Sequence, residues 1–83
     1  MIISNEREVD TMTVKAIISK NDIEIETDIL RLFKKGSISE EMLFSGDIFF
    51  FLSGYYDDEI ILYKDIMIAV NRVRNFIIKK CKH

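Results

Sequence analysis

Apolar residues recur at helical spacing over much of this chain, and the clearest case lies between residues 22 and 35. The apolar positions there follow the i, i+4, i+7, i+8 pattern of one buried helical stripe: Ile25, Ile29, Leu32 and Phe33. Asn21 and Glu24 fit a capping box at the start of this helix, and Gly36 fits the left-handed position just past its end. The signals at both ends therefore agree with the periodicity.

The next segment, residues 39–53, is also predicted to be helical. Ser39 followed by Glu40 suits a helix start near residue 39 or 40. Gly46 and Asp47 are expected either to interrupt the helix, with Asp47 capping a second short one, or to lie within one continuous helix at a cost of about 1 kcal/mol. A buried strand over the apolar run that follows is the competing interpretation, but nothing nearby offers a convincing pairing partner.

The longest predicted helix covers the C-terminal stretch, beginning at a cap supplied by Asp57 or Asp58 and ending near residue 80. One apolar row is expected to face the chain's own helices: Leu62, Ile66, Ala69, Val73 and Phe76. A second row lies beside it: Tyr63, Met67, Val70, Ile77 and Cys81. A helix that is apolar over more than one face is usually covered on more than one side, which favours a second copy or a partner protein as cover.

Residues 5–20 fit two alternatives. As a helix, they place one stripe of small and apolar residues on a common face: Val9, Met12, Thr13, Ala16 and Ile17. As a strand, they alternate apolar and polar positions with many β-branched residues. The helix is favoured because the neighbouring segments are predicted to be helical.

These elements predict an all-α fold, with residues 1–83 forming a single helical domain. We expect a small three- or four-helix bundle with a long C-terminal helix and antiparallel neighbours, since the connections are short. The hydrophobic content of 48% is high for 83 residues, and a single cysteine and a single histidine supply neither a disulfide nor a zinc site. Stability is therefore expected from a dense core or from self-association, and we expect a homodimer.

Positive charge is concentrated in the C-terminal helix. Residues 64–83 hold six basic side chains and one acidic, whereas residues 1–63 hold six basic and thirteen acidic. Five of the cations form a candidate nucleic-acid surface: Arg72, Arg74, Lys79, Lys80 and Lys82. Cations near a helix C-terminus also complement the helix dipole, and an acidic protein surface would attract them equally well. A helix-turn-helix is disfavoured because residues 40–44 are acidic and apolar and contain no Arg, Lys, Asn or Gln to read base edges or contact phosphates.

Catalysis is poorly supported by the sequence. The only histidine, His83, is the last residue, so a Cys81–His83 or Ser–His pair would lie on the terminal residues. The acidic clusters fall at predicted helix starts, and the three glycines are isolated, which is unlike a phosphate-binding loop. We therefore expect no enzyme and no catalytic, cofactor-binding, small-molecule or metal site.

Three consecutive phenylalanines, Phe49 to Phe51, point about 100° apart on a helix and cannot all enter one core. A partner-binding surface is predicted from such leftover apolar positions and one cation: Phe50, Tyr55, Tyr56, Ile61, Ile68 and Arg72. The predicted function is that of a small non-enzymatic regulatory or adaptor protein, inhibitor-like or chaperone-like, acting through an apolar helical face. The alternative is a nucleic-acid-binding transcriptional modulator.

Location and origin are suggested only by composition. The lone cysteine fits a reducing, cytoplasmic environment, and no apolar run approaches the roughly 20 residues that a membrane-spanning helix needs. The abundance of Ile, Phe, Tyr and Lys is typical of AT-rich coding sequence, which favours an accessory gene. We therefore expect a cytoplasmic protein without a membrane contact.

Overall fold

The chain is mostly helical, as the periodicity predicts. In the computed structural model, the described residues are 2–3 and 18–81. Their elements in chain order are β1 (Ile2–Ile3), α1 (Asp22–Lys35), α2 (Glu40–Leu43), α3 (Asp47–Tyr55), β2 (Ile61–Leu62) and α4 (Tyr63–Cys81). The two strands are very short, so helices set the architecture of the part of the chain that is described.

Helix α1 begins and ends where its sequence signals predict. The Glu24 amide donates to the Asn21 side chain at 2.9 Å, and the Asn21 amide donates to the Glu24 carboxylate at 3.0 Å, which completes the capping box. Gly36 follows the last turn with φ of 89°, the left-handed conformation that glycine adopts without a steric penalty. The prediction for this helix is confirmed.

The interrupted form of the second helical segment is the correct one. Ser39 caps α2 by accepting a hydrogen bond from the Met42 amide at 3.1 Å. The helix breaks after α2 and resumes as α3, so the strand alternative for this segment is wrong. Asp47 is the first residue of α3 and not its cap, and its amide donates to the Ser45 hydroxyl at 3.2 Å.

The C-terminal helix starts later than predicted. Asp57 and Asp58 lie in a turn, and the chain then extends through Ile60 and β2 before α4 begins. Strand β2 pairs in parallel with β1, which places Ile2 opposite Ile61 and Ile3 opposite Leu62. Hydrogen bonding to residues much earlier in the chain therefore replaces the expected first turn of the helix.

The alternatives for residues 5–20 fall outside the described residues as far as residue 17. At Ile18 the chain forms a parallel bridge with Ile60, and the Ser19 amide donates to the Ile60 carbonyl at 3.0 Å. The described end of this segment is therefore extended and not helical.

Helices α1 and α4 lie side by side and run in the same direction. Each begins shortly after the parallel bridge between Ile18 and Ile60, so both start at the same end of the molecule. Arg72 of α4 reaches across to the carboxylates of Asp22 at 2.8 Å and Glu26 at 3.5 Å on α1. The expectation of antiparallel neighbours is wrong for this pair, because each helix begins just after one of two extended segments that pair in parallel.

The core lies between α1, α4 and the returning α2–α3 segment. Helix α4 contributes one buried stripe: Ile66, Ala69, Val70, Val73 and Ile77. This stripe takes members from both predicted rows, since the packing of α1 against α4 follows the line between them. Phe76, which was expected to face the chain's own helices, is 50% exposed. Leu62 lies in β2 and is half-buried.

Candidate protein-interaction surface

A surface of exposed and half-buried side chains, most of them aromatic, extends from the α2–α3 junction across to α4, and we call it the aromatic face. It consists of Phe44, Phe49, Phe50, Tyr63, Met67 and Arg74. The α2–α3 segment supplies the three phenylalanines, and α4 supplies the other three residues along one side of the helix. Met67 follows Tyr63 by one helical turn, so the two side chains project from neighbouring positions.

The orientation of α3 follows from its two buried residues. Ile48 and Leu52 are spaced by i, i+4 and enter the core. With about 100° of rotation per residue, Phe49 falls at the flank of the buried side, and Phe50 falls on the outer side. Phe50 is 84% exposed, whereas Phe49 and Phe51 are half-buried. The prediction that the three phenylalanines could not all enter the core is confirmed.

A groove opens where α3 meets the start of α4. The ring centroids of Phe49 and Tyr63 lie 6.0 Å apart, with a tilt of 40° between the rings. Together with Phe50 and Ser53 these rings line a groove of about 270 Å³. Its lining is three aromatic side chains and one serine, so it suits an apolar side chain of a partner better than a charged ligand.

Arg74, on α4, contacts both aromatic rings and backbone carbonyls of the α2–α3 segment. Its guanidinium lies 6.0 Å from the centroid of the Phe44 ring and 5.8 Å from that of Phe49. Its Nε donates to the Leu43 carbonyl at 2.7 Å, and its Nη2 donates to the Ser45 carbonyl at 3.2 Å. These carbonyls lie just where α2 ends, so a side chain from α4 satisfies backbone groups that the break in the helix leaves open.

The Arg74 guanidinium has no carboxylate within ion-pair distance among the described residues. In that part of the chain, the other arginines differ. Arg31 pairs with Asp28, and Arg72 pairs with Asp22 and Glu26. The aromatic face therefore contains a half-buried cation that is hydrogen-bonded to neutral carbonyls and has no carboxylate partner among the described residues.

The structure does not gather the predicted partner-binding residues into one surface. Phe50 belongs to the aromatic face, and Tyr55 and Ile68 are also exposed. Arg72 is exposed as well, but it faces α1 through its ion pairs. Among these residues only Phe50 lies in the groove.

Two of the predicted partner-binding residues are not at the surface. Tyr56 and Ile61 are completely buried, so neither is accessible to a partner. Ile61 is buried because it lies in β2 against the core. The Tyr56 side chain points into the core because its hydroxyl donates a hydrogen bond to a buried carboxylate. The local sequence does not indicate this contact.

That carboxylate belongs to Asp28, which is 3% exposed and is the one buried charged residue among the described part of the chain. It accepts hydrogen bonds from the Tyr56 hydroxyl at 2.6 Å and the Lys20 ammonium at 2.7 Å, and also from the Arg31 guanidinium. We call these four residues the Asp28 cluster. It joins the segment before α1, the middle of α1 and the turn before β2.

Contacts within the Asp28 cluster shift the pKa values of its members in directions that favour the charged pair of the Asp28 carboxylate and the Lys20 ammonium. Burial alone would raise the pKa of Asp28, but the hydrogen bonds from Lys20 and Tyr56 and the nearby cations outweigh it and lower that pKa. The hydrogen bond to Asp28 raises the pKa of Lys20. Burial, and then the bond to Asp28, raise the pKa of the Tyr56 phenol. One buried carboxylate thus links three separate segments of the folded chain.

The candidate nucleic-acid residues have separate surroundings. Arg72 and Arg74 are engaged by carboxylates and by backbone carbonyls, respectively. The Lys80 ammonium lies 5.8 Å from the centroid of the Phe76 ring, and Lys79 is exposed. Lys82 lies outside the described residues. The two arginines are thus turned toward protein atoms, which weakens the case for a phosphate-binding surface.

A larger groove, of about 450 Å³, runs along α1 and is lined by Thr27, Leu30, Arg31, Lys34 and Lys35. Its cations have local explanations. Arg31 serves Asp28, and the two lysines lie in the last turn, where cations complement the helix dipole. We therefore place the candidate site at the aromatic face, where aromatic, Met and Arg side chains match the composition favoured in protein interfaces.

Within residues 2–3 and 18–81, no group of three or more acidic, His or Cys side chains is arranged to hold a metal ion. The helices of the same residues include none that is long and apolar enough to cross a membrane. Comparisons of the chain with protein-family models, with curated proteins and with solved structures gave no match.

Proposed function

We propose that this protein is a small non-enzymatic binding module, of the adaptor, inhibitor or chaperone kind, whose aromatic face receives an apolar helical segment of a partner protein. The observation that carries the proposal is the 84% exposure of Phe50 beside the groove that it forms with Phe49, Ser53 and Tyr63. A phenylalanine that is 84% exposed at the rim of an apolar groove contributes little to the core of the monomer.

Energetics favour a protein ligand for this surface. Covering one exposed phenylalanine gains about 1.5–3 kcal/mol, so a face with several apolar side chains can support measurable affinity. Aromatic and Arg residues near the centre of an interface commonly dominate the binding energy. The aromatic face has this composition, with Phe50 in the groove and Arg74 between two rings.

A labelled amphipathic helical peptide with leucines along one face tests the proposal by fluorescence anisotropy. We expect binding to the wild-type chain and a loss of about tenfold or more for Phe50→Ser, since a buried ring is removed from the complex. Ile23→Ser is the matched control, because Ile23 is 62% exposed on α1 and outside the aromatic face. The proposal fails if no binding occurs, or if both variants lose affinity equally.

A second copy of the chain is the other candidate for covering this face, in line with the homodimer expected from the sequence. Sedimentation at micromolar concentration separates the two cases. A monomer that binds the peptide supports the proposal in its stated form. A dimer that Phe50→Ser dissociates would instead assign the aromatic face to self-association.

A further inference from the structure

We propose that the segment bound by the aromatic face is acidic as well as apolar, and that one of its carboxylates pairs with Arg74. This inference rests on the proposed function, and it specifies the chemistry of the partner. The juxtaposition that points to it is a guanidinium between the rings of Phe44 and Phe49 without a carboxylate of the described residues in reach.

The hydrogen-bonding capacity of Arg74 leaves room for a ligand. A guanidinium has five N–H donors in a fixed planar fork, and Arg74 uses Nε for Leu43 and Nη2 for Ser45. Both acceptors are neutral carbonyls, which satisfy donors without cancelling the charge. A carboxylate from a partner would supply the counter-charge and a charge-assisted hydrogen bond, which is stronger than a neutral one.

The charge around the aromatic face points the same way. Helix α4 carries five basic side chains and one acidic, Asp65. Two carboxylates of α1 compensate Arg72, but the carboxylates nearest in sequence to the α2–α3 junction, Glu40, Glu41 and Asp47, are not within ion-pair distance of Arg74. At the aromatic face, an approaching acidic segment therefore meets a half-buried cation that pairs with no carboxylate of the described residues.

Docking an apolar segment makes the charge of Arg74 decisive. The segment would displace water from the guanidinium, and a desolvated charge without a partner opposes binding. For a neutral segment this desolvation penalty is not offset. A segment with a suitably placed carboxylate replaces the lost water by an ion pair. The aromatic face thus discriminates by charge among partners whose apolar sides are equal.

Two peptides with the same leucine face test this inference. One carries Glu at the positions that flank the apolar stripe, and the other carries Gln at the same positions. We expect the Glu peptide to bind about tenfold or more tightly at low salt, with the preference shrinking as salt screens the pair. Arg74→Met should abolish the preference, Arg74→Lys should keep part of it, and Arg72→Gln should leave it intact because Arg72 is paired within the chain.

The outcomes separate the inference from the proposed function. Equal binding of both peptides overturns the inference and leaves the proposed function standing. A preference for Glu that survives in Arg74→Met, with the fold checked by circular dichroism, also overturns it. If Arg74→Met does not fold, Arg74→Lys decides the question at low salt, because a reduced preference for the Glu peptide supports the inference and a preference equal to that of the wild type overturns it. Failure of both peptides to bind overturns the inference and the proposed function together.

Discussion

The hydroxyl of Tyr56 donates a 2.6 Å hydrogen bond to the carboxylate of Asp28, a residue 28 positions earlier in the chain. This bond ties the turn after α3 to the middle of α1. It also explains why two adjacent tyrosines behave differently, since Tyr55 is exposed and Tyr56 is completely buried. Because the same turn fixes where α3 ends, the bond helps to set the orientation of the aromatic face.

Removing the Tyr56 hydroxyl should destabilise the fold without changing its shape. We expect Tyr56→Phe to lower the free energy of unfolding by about 1–3 kcal/mol, since it deletes a buried donor to a charged acceptor. Urea denaturation measures the change. Tyr55→Phe is the control and should stay within about 0.5 kcal/mol of wild type, because Tyr55 is exposed. Equal losses for the two variants would contradict the assigned role of the Asp28 cluster.

Stability should fall at low pH in part through Asp28. The folded state lowers the pKa of Asp28, so its stabilising contribution is fully present above the unfolded pKa of about 3.9 and is lost progressively as the pH falls below that value and through the lower folded pKa. We expect the difference in unfolding free energy between wild type and Asp28→Asn to shrink between about pH 5 and pH 2. A difference that stays constant over this range would show that the charge of Asp28 is irrelevant.

Alkaline pH should also lower stability through the Asp28 cluster, in this case through Tyr56. The folded state raises the pKa of Tyr56, so the neutral phenol is stabilising below the unfolded value of about 10 and this contribution is lost above it. Tyr56→Phe should therefore lose less stability than wild type between about pH 9 and pH 11. The shared part of the decline includes Lys20, whose pKa is also raised.

Two arginines two positions apart on α4 should respond differently to the same substitution. Arg74→Met should cost about 1.5–3 kcal/mol, because it leaves the Leu43 and Ser45 carbonyls without charged donors. Arg72→Met should cost less than about 1 kcal/mol, because its ion pairs are partly exposed to solvent. Thermal unfolding of both variants measures the contrast. The reverse order would contradict the role assigned to Arg74.

Local signals were sufficient where a structural element depends on neighbouring residues. The capping box of Asn21 and Glu24 and the left-handed Gly36 define α1 within a single stretch of sequence, and both ends are confirmed. The exposure of Phe50 also follows locally, since consecutive residues on a helix cannot share one buried direction.

Contacts between distant residues account for the errors. The start of α4 was placed at Asp57 or Asp58, but the pairing of β2 with β1 holds the preceding residues extended. The burial of Tyr56 depends in the same way on Asp28. One signal for the Asp28 cluster was present, because Asp28 falls between Ile25 and Leu32 on the apolar stripe of α1, next to Ile29. From the sequence alone, the helix dipole also explains an acidic residue in the N-terminal half of α1, so the buried role of Asp28 becomes apparent only in the structure.

The aromatic face involves both kinds of information. Its residues come from the α2–α3 segment and from one side of α4. Their sequence positions show only that one core cannot bury all of the apolar side chains. The contact between Phe49 and Tyr63 and the insertion of Arg74 between two rings require the three-dimensional arrangement. Arg74 was therefore assigned to a candidate nucleic-acid surface from sequence, whereas the structure places it in the aromatic face.

A heteronuclear NMR titration of the labelled chain with the Glu-bearing amphipathic peptide tests most directly whether the aromatic face is the binding surface. We expect the amide shift changes to cluster at six residues, Phe44, Phe49, Phe50, Tyr63, Met67 and Arg74, and we expect Phe50→Ser to abolish them while Ile23→Ser does not. Changes confined to the α1 groove around Leu30 and Lys34, or an absence of changes at saturating peptide, would contradict binding at this face.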